Sequence, residues 1–264
     1  MAHRAIRQSE HRDRPLPDRP WAMSMRWTDL LFMHWPIEPG VMREAVPGDF
    51  DLDLYDGMAW VGVVPFRMQS TRPRCCPPIP QKLMPVSPSS FPELNVRTYV
   101  TVNTEDGPLP GVFFFSLDAA SKVSVRLARL GFGLPYFDAQ MRVERESDAS
   151  GWTHFQSVRT HYGAPPARFA ASYRPLEDRG PVDAQAGSLE RFLTERYRLF
   201  TLGRKGRGVR VGEIAHRPWP LQVATCEVTV CEMTSGLGFD LPDRAPLLHY
   251  ADELDVVAWL PKRI

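Results

Sequence analysis

Strand-like runs dominate the pattern of apolar residues in this chain. Residues 26–37 (RWTDLLFMHWPI) and 51–68 (DLDLYDGMAWVGVVPFRM) are rich in aromatic and β-branched side chains, which favour β-strands. Asp56-Gly57 divides the second run and predicts a turn. Residues 112–119 (VFFFSLDA) and 152–163 (WTHFQSVRTHYG) have the same character. The sequence therefore predicts a β-rich fold with buried strands.

Two segments show the periodicity of amphipathic helices. Residues 119–130 follow Asp118, a candidate N-cap, and residues 188–200 begin at Ser188, a second candidate. One apolar stripe of the first helix is expected to consist of Ala120, Val123, Leu127 and Leu130. A third, shorter helix is expected within residues 39–50, before Pro47-Gly48.

Domain organisation follows from composition. The chain has 264 residues, of which 43% are hydrophobic, so it can bury a substantial core. Residues 1–22 are rich in Arg and Pro and predict a disordered leader. Residues 23–264 show no repeat or composition break and predict one α+β domain, a curved antiparallel sheet with two main helices. The proline-rich segment 71–92 predicts a long loop, either a lid over a pocket or an unordered insertion.

Charge and hydropathy exclude several classes of partner. The net charge is +1, with 32 basic and 31 acidic residues, so no overall field attracts nucleic acid or an anionic membrane. No apolar run approaches the ~18 residues of a membrane span, and the N-terminus lacks the apolar core of a secretory signal. We therefore expect a cytoplasmic protein without nucleic-acid or membrane partners, and leave self-association open.

Familiar catalytic and metal motifs are missing from the sequence. Cys75 and Cys76 are adjacent and Cys226 and Cys231 lie five apart, so the paired Cys-x-x-Cys spacing of a zinc site is absent. The histidines are scattered, and neither a metal site nor a cofactor is predicted. Ser116 is not within Gly-x-Ser-x-Gly, which disfavours a serine hydrolase.

The most informative stretch is FPELNVRTYV, residues 91–100. Side chains alternate along a strand, so one face carries Glu93, Asn95, Arg97 and Tyr99, and the other face is apolar. Either this polar face meets water or it lines a pocket. Glu93 and Arg97 lie roughly 13 Å apart along the strand, too far to pair with each other. In a buried setting each would need another partner, because an unpaired buried charge costs several kcal/mol.

His34 raises a similar choice. It lies between Met33 and Trp35 inside an apolar strand, where a neutral imidazole needs hydrogen-bond partners. It is either a satisfied structural histidine or part of a site.

Seven stretches together resemble a known family. In order along residues 24–223 they are LFMHWPI, DGMAWVGVVPFRM, FPELNVRTYV, GVFFFSLDA, FGLPYFDAQM, GSLERFLTERYRLF and HRPWPL. They are similar to the YqjF-like family of uncharacterised bacterial proteins, which in turn resembles the acetoacetate decarboxylase superfamily. That resemblance implies a β-rich cone or barrel around a small, largely apolar cavity.

The resemblance also implies where a site would lie. The decarboxylases form a Schiff base on a lysine in a Gly-Phe-Pro-Lys turn, assisted by a glutamate on a neighbouring strand. Here the turn corresponds to 133–135 (GLP), the glutamate to Glu93 and the lysine position to Tyr136. A phenol cannot form an iminium, so the Schiff-base mechanism is not expected to transfer.

The sequence thus predicts that a small polar or anionic organic molecule binds inside the cone. Glu93 and Tyr136 are the candidate catalytic residues, and the candidate ligand-binding residues are Arg97, His34, Ser116, Trp60 and Tyr99. Whether the protein is an enzyme is left open. A ligand carrier or sensor would use the same cavity without turnover, and an assembly protein would use exposed aromatic surface instead.

Overall fold

The computed structural model describes residues 3–76, 89–147, 150–203, 206 and 208–264. In this part of the chain the helices are α1 (Pro39–Ala45), α2 (Lys122–Gly131) and α3 (Leu189–Thr194). The strands are β1 (Met23–Ile37), β2 (Asp51–Leu52), β3 (Ala59–Pro73), β4 (Phe91–Thr104), β5 (Gly107–Ala119), β6 (Tyr136–Arg145), β7 (Thr153–Arg159), β8 (Arg168–Pro175), β9 (Arg198–Leu202), β10 (Val209–Ala215), β11 (Gln222–Cys231), β12 (Leu247–Ala258) and β13 (Lys262–Arg263). Most of the predicted 71–92 loop lies outside the described residues.

The sheet closes on itself as a ring. Strands β12, β1, β3, β4, β5, β9 and β10 pair in that order, and β10 pairs again with β12. Neighbours are antiparallel except that β5 runs parallel to both β6 and β9. The predicted β-rich α+β class and the closure of a curved sheet are confirmed. The two parallel pairings were not anticipated.

Two hydrophobic cores share the central strands. The ring core lies inside the ring and includes Phe32, Val64 and Leu117. The sandwich core lies between β1, β3 and β4 on one side and β7 and β8 on the other, and includes Leu31 and Val63. Because successive side chains enter opposite cores, the central strands are apolar on both faces. This explains the unbroken apolar runs of β1 and β3.

The turn at Asp56-Gly57 forms as predicted. Both residues have positive φ, 49° and 74°, which is the backbone of a tight hairpin turn, and Tyr55 and Met58 bridge across it.

Helix α2 differs from its prediction in cap and orientation. Ser121, not Asp118, accepts the N-cap hydrogen bond from the Ser124 amide, because β5 continues through Ala119. Three of the four predicted stripe residues face water: the exposed fractions of Val123, Leu127 and Leu130 are 58, 65 and 84%, whereas Ala120 packs against the ring core. Val125 is the residue of α2 that enters the ring core.

Helix α3 begins as predicted, with Ser188 as its N-cap, but ends at Thr194. The chain then pairs with β5 and β10 as strand β9. Tyr197 and Phe200, which lie within the predicted helix 188–200, are buried beyond the observed helix end. No helix in the described residues is long and apolar enough to cross a membrane.

The N-terminal segment is packed rather than disordered from residue 3 onward. Ala5 is buried against Val257 and Trp259. The Arg12 guanidinium donates to the Ile214 carbonyl at 2.5 Å and lies 4.5 Å above the Tyr197 ring. Arginines that bond carbonyls and stack on rings can anchor a segment that contains few apolar residues. Composition alone therefore led to the wrong expectation.

Candidate functional site

The polar face of β4 points into the ring core. Its cross-strand neighbours there are Phe66 opposite Glu93 and Val64 opposite Asn95, both ring-core residues. Glu93 is 2% exposed, Asn95 6% and Tyr99 1%, whereas Arg97 is partly exposed. This face of β4 therefore meets the interior of the fold rather than water. We call Glu93, Asn95, Arg97 and Tyr99 the polar stripe.

One end of the polar stripe is a buried carboxyl–phenol pair. The Tyr136 hydroxyl donates to Glu93 Oε2 at 2.9 Å. Burial raises the pKa of Glu93 to about 8, the Tyr136 hydrogen bond opposes this shift, and the nearby Asp118 adds to it. Burial and the neighbouring Glu93 also hold the pKa of Tyr136 well above its usual value. Glu93 is therefore mostly protonated at pH 7, and the pair is neutral.

The chain places Tyr136 by a turn and a parallel pairing. Gly133 has φ +67°, a conformation that favours glycine, and Tyr136 pairs with Leu117 at the start of β6. The Arg129 side chain of α2 donates to the Tyr136 carbonyl at 2.6 Å. The residues at the implied lysine turn thus bring Tyr136 to Glu93.

A glycine separates the two side chains at the other end of the stripe. His34, Gly62 and Arg97 are consecutive neighbours across β1, β3 and β4. A Cβ placed on Gly62 would lie 3.0 Å from His34 Cδ2 and 3.5 Å from Arg97 Cγ. The absence of a side chain at Gly62 therefore lets the imidazole and the arginine lie side by side.

Helix α3 anchors this end through its last carbonyls. The Tyr99 hydroxyl donates to the Leu193 carbonyl at 2.7 Å and lies 2.7 Å from His34 Nε2. One phenol has one proton, so His34 Nε2 donates to Tyr99. Arg97 Nη2 also donates to the Leu193 carbonyl, at 3.1 Å. A terminal helix carbonyl thus accepts both side chains.

The electrostatics of this end are those of a cation in an apolar setting. The Arg97 guanidinium lies 5.2 Å from the centre of the Phe32 ring and 5.9 Å from that of Tyr99. It forms no ion pair within the described residues. Burial, and then the Arg97 charge, holds the pKa of His34 well below its usual value, so His34 is neutral.

Several buried polar atoms near Arg97 have no hydrogen-bond partner among the described residues. They are His34 Nδ1, Trp60 Nε1, Asn95 Oδ1, Arg97 Nε and His249 Nδ1. Buried polar atoms are normally satisfied, and unpaired ones call for a bound molecule or water. These atoms therefore include both donors and acceptors that the described residues leave unpaired.

Of the predicted ligand-binding residues, Trp60 lies beside the polar stripe and Ser116 lies on the opposite face of the sheet. Trp60 packs in one cluster with Tyr99 of the polar stripe. Ser116 is not part of the site, because it pairs with Val96, whose side chain enters the sandwich core. An extra residue at Phe115, a β-bulge opposite β4, changes the alternation and turns Ser116 to that face.

Three contributors to this end of the polar stripe could not be predicted from the sequence. Gly62 and the Leu193 carbonyl have no side-chain signal. His249 pairs with Phe32 from β12, is 3% exposed and lies close enough to lower the pKa of His34. Only the strand character of its surroundings could have indicated that it is buried.

The structure has further concave and metal-type features that are not part of the polar stripe. Two cavities of about 250 and 710 Å³ lie on the outer face of β6–β8, and both are lined by His154 and Glu144. Among the described residues, three metal-type ligands converge at His11, Glu195 and His216.

Comparison with known proteins identifies the family. The model of the DUF2071 family, described as an uncharacterized conserved protein, matches residues 24–255. The chain belongs to this family. It is also 41% identical over 244 residues to the uncharacterized protein YqjF of Bacillus subtilis (strain 168). The alignment covers 92% of this chain and 93% of YqjF. The YqjF-like resemblance of the sequence is thereby confirmed.

Solved structures show that this DUF2071 chain has an acetoacetate decarboxylase-like fold. An acetoacetate decarboxylase-like enzyme from Sphingomonas wittichii RW1 matches with a TM-score of 0.59 at 13% identity, over 93% of this chain and 94% of that one. The enduracididine biosynthesis enzyme MppR complexed with pyruvate matches with a TM-score of 0.56 at 12% identity, over 94% and 91%. Acetoacetate decarboxylase from Legionella pneumophila matches with a TM-score of 0.54 at 14% identity, over 96% and 92%.

Proposed function

We propose that this protein binds a small organic carboxylate inside the ring, against the polar stripe of β4. The observation that supports this most is Arg97, a guanidinium that faces the ring core without a carboxylate partner in the described residues. A guanidinium keeps its charge in proteins, and its fork of donors matches a carboxylate. An anionic ligand would supply the missing partner.

Glu93 is the proposed proton donor to that ligand. With a pKa of about 8 it holds a proton at pH 7, so it does not repel an anion and can hydrogen-bond a carbonyl or hydroxyl oxygen. Tyr136 holds the Glu93 carboxyl in place from the neighbouring strand. A ligand long enough to reach both residues, which lie roughly 13 Å apart along the strand, would have its carboxylate at Arg97 and a carbonyl or hydroxyl group at Glu93, with Asn95 between them.

The proposed chemistry excludes a Schiff base. Lys122 and Lys262 are exposed on the outside of the fold, and Lys82 and Lys205 lie outside the described residues. We expect that incubation with acetoacetate or pyruvate followed by borohydride leaves the intact mass unchanged. A stable adduct on any of the four lysines would contradict this mechanism.

Thermal unfolding with matched ligands tests the binding proposal. Carboxylates of increasing length, from pyruvate and acetoacetate to chains that could reach from Arg97 to Glu93, are compared with their methyl esters, which lose the charge and add one methyl group. A ligand at 100 times its Kd stabilises the folded state by about 2.7 kcal/mol, so the acids should raise Tm and the esters should not. Equal shifts from acid and ester, or no shift with any small carboxylate, would rule the proposal out.

Turnover separates an enzyme from a carrier or sensor. Each carboxylate that raises Tm is incubated with catalytic amounts of protein, and loss of the compound is followed by NMR. We expect a change that depends on Glu93 and is absent from Glu93→Gln, because the amide cannot donate the carboxyl proton. Binding without any change in the compound would assign the protein to the carriers.

A further inference from the structure

Three metal-type ligands from separate parts of the chain meet beside the end of α3. His11 lies in the N-terminal segment, Glu195 directly follows α3, and His216 directly follows β10. One ligand atom from each residue lies within 4.8 Å of the other two. His11 and His216 are 205 residues apart in sequence, so the fold alone brings them together.

His216 has a buried lone pair with no partner. It is 1% exposed, and its Nδ1 lies 2.7 Å from the Arg217 carbonyl oxygen. A carbonyl only accepts, so Nδ1 bears the proton and Nε2 holds a lone pair. Nε2 is buried and has no hydrogen-bond partner among the described residues. One nitrogen fixed by a carbonyl and the other left unprotonated is the usual state of a histidine that binds a metal.

The other two ligands are oriented in a comparable way. His11 Nε2 lies 3.1 Å from the His216 carbonyl and donates to it, which leaves a lone pair on His11 Nδ1. Glu195 Oε1 accepts from the Trp219 amide at 3.2 Å, and Oε2 accepts from the Tyr197 hydroxyl. Each carboxylate oxygen has a second lone pair, so Glu195 can still ligate an ion.

We propose that His11, Glu195 and His216 form a binding site for one divalent transition-metal ion. Two imidazoles and one carboxylate suit Zn²⁺, and three protein ligands leave the fourth tetrahedral position open to water. The site adjoins the ring core, because the Trp219 ring lies 5.0 Å from the His216 ring and belongs to that core. The proposal is independent of the carboxylate site.

The charges around the cluster limit the strength of this binding. Burial is the largest cause that lowers the pKa of both histidines. Glu195 raises the pKa of His11, whereas Arg12 and Arg191 lower it, and Arg12 and Arg97 lower the pKa of His216. Glu213, 3.9 Å from Arg12, offsets part of the positive charge. We therefore expect binding at micromolar rather than nanomolar metal concentrations.

Metal titration of the full-length protein tests the site. Protein freed of metal by a chelator and dialysed is titrated with ZnCl₂ by calorimetry, and with Co²⁺ while visible absorption is recorded. We expect one equivalent of Zn²⁺ per chain and the intense Co²⁺ bands of a tetrahedral ion. His11→Ala and Glu195→Gln should each weaken Zn²⁺ binding at least tenfold.

A matched control is His154→Ala, because His154 is also paired with a carboxylate, 2.9 Å from Glu146, but no third metal-type ligand converges with them among the described residues. It should bind Zn²⁺ as the wild type does. His216→Ala removes a buried ring, so His11→Ala, at a half-buried position, is the primary variant, and circular dichroism checks that each variant is folded.

Three results would overturn the proposal. The first is the absence of stoichiometric Zn²⁺ binding. The second is wild-type affinity in folded His11→Ala and Glu195→Gln. The third is binding that persists in His11→Ala but disappears when the four cysteines are alkylated, which would assign the metal to thiols.

Discussion

The two ends of the polar stripe each place an ionisable group in the ring core, and they reduce the cost of its charge in different ways. Both Glu93 and Arg97 bring an ionisable group from β4 into the ring core, where a charge is costly. Glu93 meets this cost by taking up a proton, and its pKa rises to about 8. Arg97 has no such option, since a guanidinium does not lose its proton in proteins.

The difference indicates which end depends on a ligand. The Glu93–Tyr136 pair is neutral and hydrogen-bonded within the chain itself. Arg97 is stabilised by the Leu193 carbonyl and two aromatic rings, and its Nε has no partner among the described residues. We infer that the acid end is complete in the free protein, whereas the arginine end becomes complete on binding.

The largest expected effect is on the pH dependence of stability, through Glu93→Gln. The folded-state pKa of Glu93 is raised to about 8 from an ordinary 4.5, so its contribution is fully present below pH 4.5 and is lost as the pH rises to about 8. The loss approaches about 1.4 kcal/mol per pH unit. Glutamine mimics the protonated acid, so the variant should gain stability relative to wild type between pH 5 and 9, by a few kcal/mol in total.

Urea unfolding at pH 5, 7 and 9 measures this difference. The exposed Glu227→Gln is the matched control and should show no such trend. If the difference in unfolding free energy between wild type and Glu93→Gln does not change with pH, Glu93 is ionised in the folded protein. The two ends of the polar stripe would then not differ in this respect.

The next effect concerns binding at the arginine end. Arg97→Met keeps much of the volume and removes the charge, so it should weaken any carboxylate that raises the wild-type Tm by about 100-fold, the scale of a charge-assisted bidentate pair. Isothermal titration measures the affinity. Without ligand the variant should be at least as stable as wild type, because an incompletely satisfied buried charge is gone. Arg142→Met, at an exposed surface pair, serves as control. Unchanged affinity in Arg97→Met would place the ligand elsewhere.

A smaller effect is expected from Gly62→Ala. The added Cβ would lie 3.0–3.1 Å from the His34 ring, so the imidazole must move away from Tyr99. Overpacking of this kind costs about 1–3 kcal/mol. Chemical denaturation should show this loss, whereas Gly48→Ala, with nothing within 4 Å of its Cβ, should be close to wild type. Equal stability of the two variants would show that the space at Gly62 is not needed.

The smallest effect is that of Tyr136→Phe. It removes one buried hydrogen bond to Glu93 and should cost about 1 kcal/mol of unfolding free energy. Because that bond lowers the pKa of Glu93, the pKa should rise further in the variant. NMR titration of the Glu93 carboxyl, with Glu227 as reference, can measure this shift, and a lower pKa would contradict the assignment.

Much of the fold and of the stripe could be predicted from sequence, for identifiable reasons. Period-two alternation correctly placed Glu93, Arg97 and Tyr99 on one face, and family resemblance brought Glu93 and Tyr136 together. Ser116, a candidate ligand residue, faces the sandwich core instead, because the β-bulge at Phe115 shifts the alternation of β5 by one residue and leaves no clear sequence signal. Helical periodicity did not identify the buried face of α2, because the buried Val125 and the exposed Leu127 are both apolar.

Contacts between residues far apart in sequence account for most of the features that the sequence did not predict. His11 and His216, or His34 and His249, lie more than 200 residues apart, and no local pattern relates them. The packed N-terminal segment was missed because its anchors are arginine contacts to distant carbonyls and rings.

The closure of the ring also bears on how the protein is made. Strand β1, near the start of the chain, pairs with β12 near its end, and the Arg19 carbonyl accepts from Trp259. A ribosome releases residues in order, so β1 emerges long before its partner exists. Until β12 has emerged, one edge of β1 stays unpaired and open to other chains. We therefore expect nascent β1 to need protection during synthesis, and loss of β12 to expose that edge permanently.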